Sequence, residues 1–144
     1  MVLSKLYSNV LLVLFLGTFF LACTSSPKET VNKPLAIATI NMTKDNQGKA
    51  GAITETLDAS AETFHCLVET SKKQAGAKIT VTLIAVSAEG YENYEVRTLD
   101  QLTDSIATIY DFPFSLARPW FKGTYKCDVY LNDTLTQAKN FTLQ

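Results

Sequence analysis

The sequence predicts an all-β domain, a single antiparallel β-sandwich of about seven strands, set behind an N-terminal segment of different character. Three observations carry this. From Pro34 onward, apolar residues alternate with polar ones in one short stretch after another, which is the period of a half-buried strand. Turn-forming clusters, residues 44–48 and the pair Asn132 and Asp133 among them, separate these stretches. Only residues 100–106 have helix-like spacing, and that window is short.

The chain begins with an apolar run at residues 10–22, preceded by Lys5 and the amino terminus. As a helix this run of about 13 residues is roughly 20 Å long, against a hydrocarbon core of roughly 30 Å. It is too short to span comfortably, and it fits the apolar region of a signal peptide. Small Ala22 and then Cys23 close the run, and residues 24–29 are polar. Residues 1–22 are therefore assigned to a signal segment, 23–33 to a tether without apolar periodicity, and 34–144 to one domain.

Residues 35–43 form the first predicted strand, ending in the polar turn 44–48. In the next, Phe64, Cys66 and Val68 face the core while His65, Leu67 and Glu69 face out. Residues 77–87 point Ile79, Val81 and Leu83 inward and Thr80 and Thr82 outward. Glu89, Glu92 and Glu95 with Tyr91 and Tyr94 read as an acidic, aromatic loop, followed by a short strand at 94–99. Residues 106–117 place Thr108, Tyr110, Phe112, Phe114 and Leu116 on one face. Residues 123–131 turn Tyr125, Cys127, Val129 and Leu131 inward, and Asn132 and Asp133 lead into a last strand at 134–143.

Composition excludes several functions. The chain has 13 basic and 14 acidic residues, and the signal segment contains one of the basic residues, Lys5, and no acid. The near-neutral remainder has no basic patch for nucleic acid. His65, the one histidine, adjoins Cys66, but strand neighbours point to opposite faces, so the two form no dyad. The expectation for His65 is an exposed strand position. With one histidine and no free cysteine pair, no zinc site is expected, and residues 45–48 lack the alternating ligands of a calcium loop. No pair of carboxylates is fixed across a cleft, and neither a nucleophile elbow nor a phosphate loop occurs. The expectation is no catalytic residue, no metal and no cofactor.

The junction at Ala22 and Cys23 resembles the signal of bacterial lipoproteins, with Phe20 and Leu21 departing from the commonest residues of that motif. The resemblance implies cleavage before Cys23 and acylation of its thiol, which anchors the chain in a lipid bilayer. A plain secretory signal is the alternative, and Phe20 fits it poorly. Thr24 rather than Asp after the cysteine implies, by the same resemblance, the outer membrane. With Cys23 acylated, the three cysteines leave Cys66 and Cys127 as a pair, bridged in an oxidising compartment or otherwise two buried thiols.

The segment Gly123-Thr-Tyr-Lys-Cys127 is similar to the Gly-x-Tyr-x-Cys of immunoglobulin-fold domains. That resemblance implies an immunoglobulin-like β-sandwich, Cys66 and Cys127 joined between the sheets, and Tyr125 as the corner tyrosine. Two departures stand out: no Trp lies on the third strand, and Phe121 stands where an Asp is usual. The Trp120-x-x-Gly-x-Tyr125 segment is similar to one in bacterial envelope lipoproteins, with Trp120 expected as a packing residue.

Surface recognition is the remaining route to function. Strand parity places Ile84, Val86 and Tyr130 outward on neighbouring strands, a candidate partner-binding patch. Three readings follow. The favoured one is a non-enzymatic envelope lipoprotein that docks another envelope protein. The second is a glycan- or peptide-binding module using the 89–95 segment. The third is a secreted eukaryotic immunoglobulin-like glycoprotein, for which Asn41, Asn132 and Asn140 stand in glycosylation sequons.

Overall fold

Nine strands follow in order: β1 (Ile37–Asp45), β2 (Ala50–Ile53), β3 (Thr56–Leu57), β4 (Thr63–Thr70), β5 (Lys78–Ala88), β6 (Tyr91–Leu102), β7 (Ile109–Ser115), β8 (Gly123–Leu131) and β9 (Thr134–Leu143). This is a computed structural model, and it describes residues 32–144. The signal segment, Cys23 and nearly all of the tether lie outside the described residues. One sheet has the order β2-β1-β4-β7 and the other β3-β9-β8-β5-β6. Every pairing is antiparallel except that of β3 with β9. The segment after β2 thus crosses over to line the edge of the second sheet before β4 returns to the first.

Alternation builds the core as the sequence predicts. Phe64, Cys66 and Val68 of β4, with Tyr110, Phe112 and Phe114 of β7, are buried against Ile79, Val81 and Leu83 of β5. Tyr125, Cys127 and Val129 of β8 complete the facing layer. Trp120 is a packing residue, its ring 4.7 Å from that of Phe64. The Tyr125 hydroxyl donates to the Phe121 carbonyl at 2.8 Å, the corner that the Gly-x-Tyr-x-Cys segment implies. Asn132 and Asp133 both have positive φ, 50° and 65°, which matches the twist of a two-residue hairpin turn. At Gly123 a Cβ would lie 2.3 Å from the Ser87 carbonyl oxygen, so only glycine lets β8 start this close to β5.

Four expectations need correction. Strands β2 and β3 are additional; they have four and two residues, too few to display a period. The acidic, aromatic segment is no loop, because Tyr91, Glu92, Tyr94 and Glu95 already belong to the twelve-residue β6. The helix-like window at 100–106 is the end of β6 followed by a turn, in which Asp104 accepts hydrogen bonds from the Ile106 and Ala107 amides. His65 is 1% exposed rather than open to solvent.

Candidate functional site

The burial of His65 follows from sheet register. It pairs with Thr43 of β1 on one side and Pro113 of β7 on the other, so the imidazole is walled along its strand. Asp45 lies two residues beyond Thr43, and Asp111 two before Pro113, both within reach across the sheet. His65 Nε2 is 2.9 Å from Asp45 Oδ1, and Nδ1 is 2.8 Å from Asp111 Oδ1. Burial alone would lower the imidazole's pKa, but the hydrogen bonds to Asp45 and Asp111 outweigh it and hold the pKa above 6.5. The His65 bond and the Gly48 amide in turn hold Asp45 below the usual carboxylate range. With a carboxylate on each ring nitrogen, His65 has no free nitrogen with which to act as a base. It ties the β1–β2 turn to β4 and β7.

Cys66 and Cys127 come from opposite sheets and meet in the core as two buried free thiols. The neighbouring Cys66 and burial push the pKa of the Cys127 thiol up. Its Sγ also lies 3.8 Å from Met42 Sδ.

The structure does not bring Ile84, Val86 and Tyr130 together as one patch. All three are half-buried on the outer face of the second sheet. Ile84 pairs with Lys126 and Tyr130 with Thr80, and the pair Thr82 and Asp128 lies between them. Asp128 binds Lys126 Nζ at 2.8 Å, and Thr82 bonds Thr98, so polar groups interrupt the apolar surface.

An aromatic cluster lies instead at the open side of the sandwich. Tyr91, Tyr94 and Val96 of β6 face Leu116, Arg118, Trp120 and Phe121 of the β7–β8 connection across a cleft of about 40 Å³, with Ala85 and Tyr125 behind. The Tyr91 ring is 5.1 Å from that of Tyr94 and 5.2 Å from that of Phe121. The Arg118 guanidinium caps Phe121 at 4.7 Å. Tyr94 is 54% exposed at the rim of the cluster. A wider depression of about 450 Å³ lies by Asp45, Asp58 and Glu62. There Asp45 is committed to His65 and Gly48, and Asp58 to Ser60, which leaves little for a ligand. Among the described residues no three His, Cys, Asp or Glu side chains converge as a metal site would need.

No protein-family model matches the sequence, and neither does any curated protein. Among solved structures, the chain is similar to an immunoglobulin-like protein from Pseudomonas aeruginosa, with a TM-score of 0.56 and 16% identity over 79% of this chain and 99% of that one. The fold is immunoglobulin-like. A GH3 β-glucosidase from Bifidobacterium adolescentis is more distant, with a TM-score of 0.40 and 13% identity over 76% of this chain and 17% of that one, and carries no argument. In the immunoglobulin-like frame, Cys66 and Cys127 take the inter-sheet positions and Tyr125 the corner. The cleft lies between β6 and the β7–β8 connection. The sequence shows Tyr91 and Tyr94 but not their pairing with Phe121 and Arg118, which lie more than twenty residues away.

Proposed function

We propose that this chain is a lipid-anchored envelope protein that works by binding a protein partner through the aromatic cleft of its immunoglobulin-like domain, and not by catalysis. The observation that carries the reading is the cluster of Tyr91, Tyr94 and Phe121 under Arg118, with Tyr94 more than half exposed at its rim. Aromatic and arginine side chains dominate the energetic centres of protein interfaces. Acylation at Cys23 supplies the anchor, and outer-membrane placement goes with Thr24. The Cys66 and Cys127 thiols, already in contact, become a disulfide in an oxidising envelope.

A photo-reactive amino acid at position 94 tests this in intact cells, with one at Leu135, three strands away in the same sheet, as control. The expected result is a discrete protein adduct at 94 and none at 135. Tyr94→Ala should abolish partner retention while changing stability by less than about 0.5 kcal/mol, as for a surface substitution. Equal labelling at both positions removes the reading. A glycan ligand is the second reading, favoured by the exposed Tyr94 ring packed beside Tyr91. It predicts retention on glycan arrays and no protein adduct.

A further inference from the structure

The two sheets end in four edges, and three of them are poor templates for another strand. Strand β2 has four residues and β3 two, and β7 includes Pro113, which has no N–H to offer. The lengths of β1 and β9 that β2 and β3 leave uncovered turn towards each other, with Gln137 Nε2 donating to the Ile37 carbonyl. Strand β6 differs: it has twelve residues and no proline, and it pairs on one side only, with β5. Past the irregularity opposite Leu83 and Ile84, residues 97–102 follow β5 in unbroken register. The aromatic cleft adjoins the other end of the strand, at Tyr91, Tyr94 and Val96, where Asn93 has a φ of 48° and the edge bends.

We infer that β6 is a receptor edge, to which an extended segment of a protein partner adds as a further strand. Alternate side chains of such a strand point to opposite faces. Those on the inner side reach the cleft, whose volume of about 40 Å³ and apolar lining suit a single small apolar group. Those on the outer side run past Glu92, Glu95 and Asp100. These three carboxylates lie on the outer row of β6, opposite Ser87, Ile84 and Thr80. Arg97, opposite inward-facing Leu83, turns to the Ser115 carbonyl at 3.4 Å and does not neutralise that row. The partner segment is therefore one that alternates apolar residues with Lys or Arg. A second copy of this chain is disfavoured, since pairing β6 with itself sets acidic rows side by side. The mode gives main-chain hydrogen bonds for affinity and one pocket for specificity.

The inference rests on the partner-binding reading above, and its test separates the two. The full chain in zwitterionic nanodiscs is mixed with a ten-residue peptide alternating leucine and lysine. Two controls are used, one with glutamate for lysine and one with alternate backbone amides N-methylated. Hydrogen exchange of residues 95–102 should slow at least tenfold with the first peptide, and both controls should bind at least tenfold more weakly. Equal protection by the N-methylated peptide, protection elsewhere only, or no protection by any peptide overturns strand addition. Protection that rises with protein concentration and needs no peptide overturns it too, in favour of a second copy. If an adduct forms at position 94 in cells while β6 stays unprotected, strand addition fails and partner binding stands. If no adduct forms at 94, partner binding itself fails.

Discussion

At the scale of single residues, His65 carries a prediction about pH. Its folded pKa is raised above 6.5, so the folded state holds the proton more tightly than the unfolded chain does. The resulting stability is complete below about pH 6.5 and is lost as the pH rises through the folded value. Asp45 behaves in the opposite sense: its pKa is lowered from 3.8, so its contribution is complete above that value and is lost as the pH falls through the folded one. Thermal midpoints should therefore peak between about pH 4 and 6.5 and decline on the alkaline side. His65→Gln should cost roughly 1–2 kcal/mol at pH 5.5, since both carboxylates keep a solvent face, and should flatten the alkaline decline. An unchanged pH profile in the variant would show that the cluster contributes nothing. The sequence gives no view of this cluster, because Asp45, His65 and Asp111 meet only through the register of three strands, two of them far apart in the chain.

Elements were legible wherever alternation ran long enough to display a period. Strands β4, β5, β7 and β8 face the way the pattern predicts, β9 forms where a last strand is expected, and the turn at Asn132 and Asp133 falls where the residues ask for it. The failures share a cause. Strands β2 and β3 are held by backbone pairing and show no pattern of their own, while Leu99, Leu102 and Ile106 imitate a helical stripe although two of them are exposed. The same alternation brings Cys66 and Cys127 face to face, and their environment dictates how a bridge must form. Attack requires a thiolate, and burial beside Cys66 raises the pKa of the Cys127 thiol, so the bridge proposed above would form before the two thiols are buried, while the chain folds. Alkylation of the native protein is then uninformative, because buried thiols resist it with or without a bridge. Denaturation without reductant is the decisive condition. The expected outcome is no labelling of Cys66 or Cys127 until reductant is added, and a stability loss on reduction of roughly 2–4 kcal/mol. Labelling of both before reduction would establish the thiols as the native state.

For the whole molecule, the proposed anchor determines what the cleft can meet. Residues 23–33 span at most about 35–40 Å when extended, so a domain tethered at Cys23 searches a thin layer beside the bilayer. Confinement of this kind raises the effective concentration of a membrane-bound partner without any new contact. The chain's formal net charge is only −1, so long-range steering is weak and the tether must do what a strong field would otherwise do. Stable retention needs more than one acyl chain, since a single chain binds membranes only marginally. Cys23→Ser should therefore shift the protein out of the membrane fraction and remove the acyl mass from the mature chain. It should reduce the photo-adduct at position 94 at least tenfold while leaving the thermal midpoint of the domain unchanged. If the adduct persists at full yield in the Cys23→Ser chain, the cleft finds its partner without the bilayer, and the anchor serves only localisation.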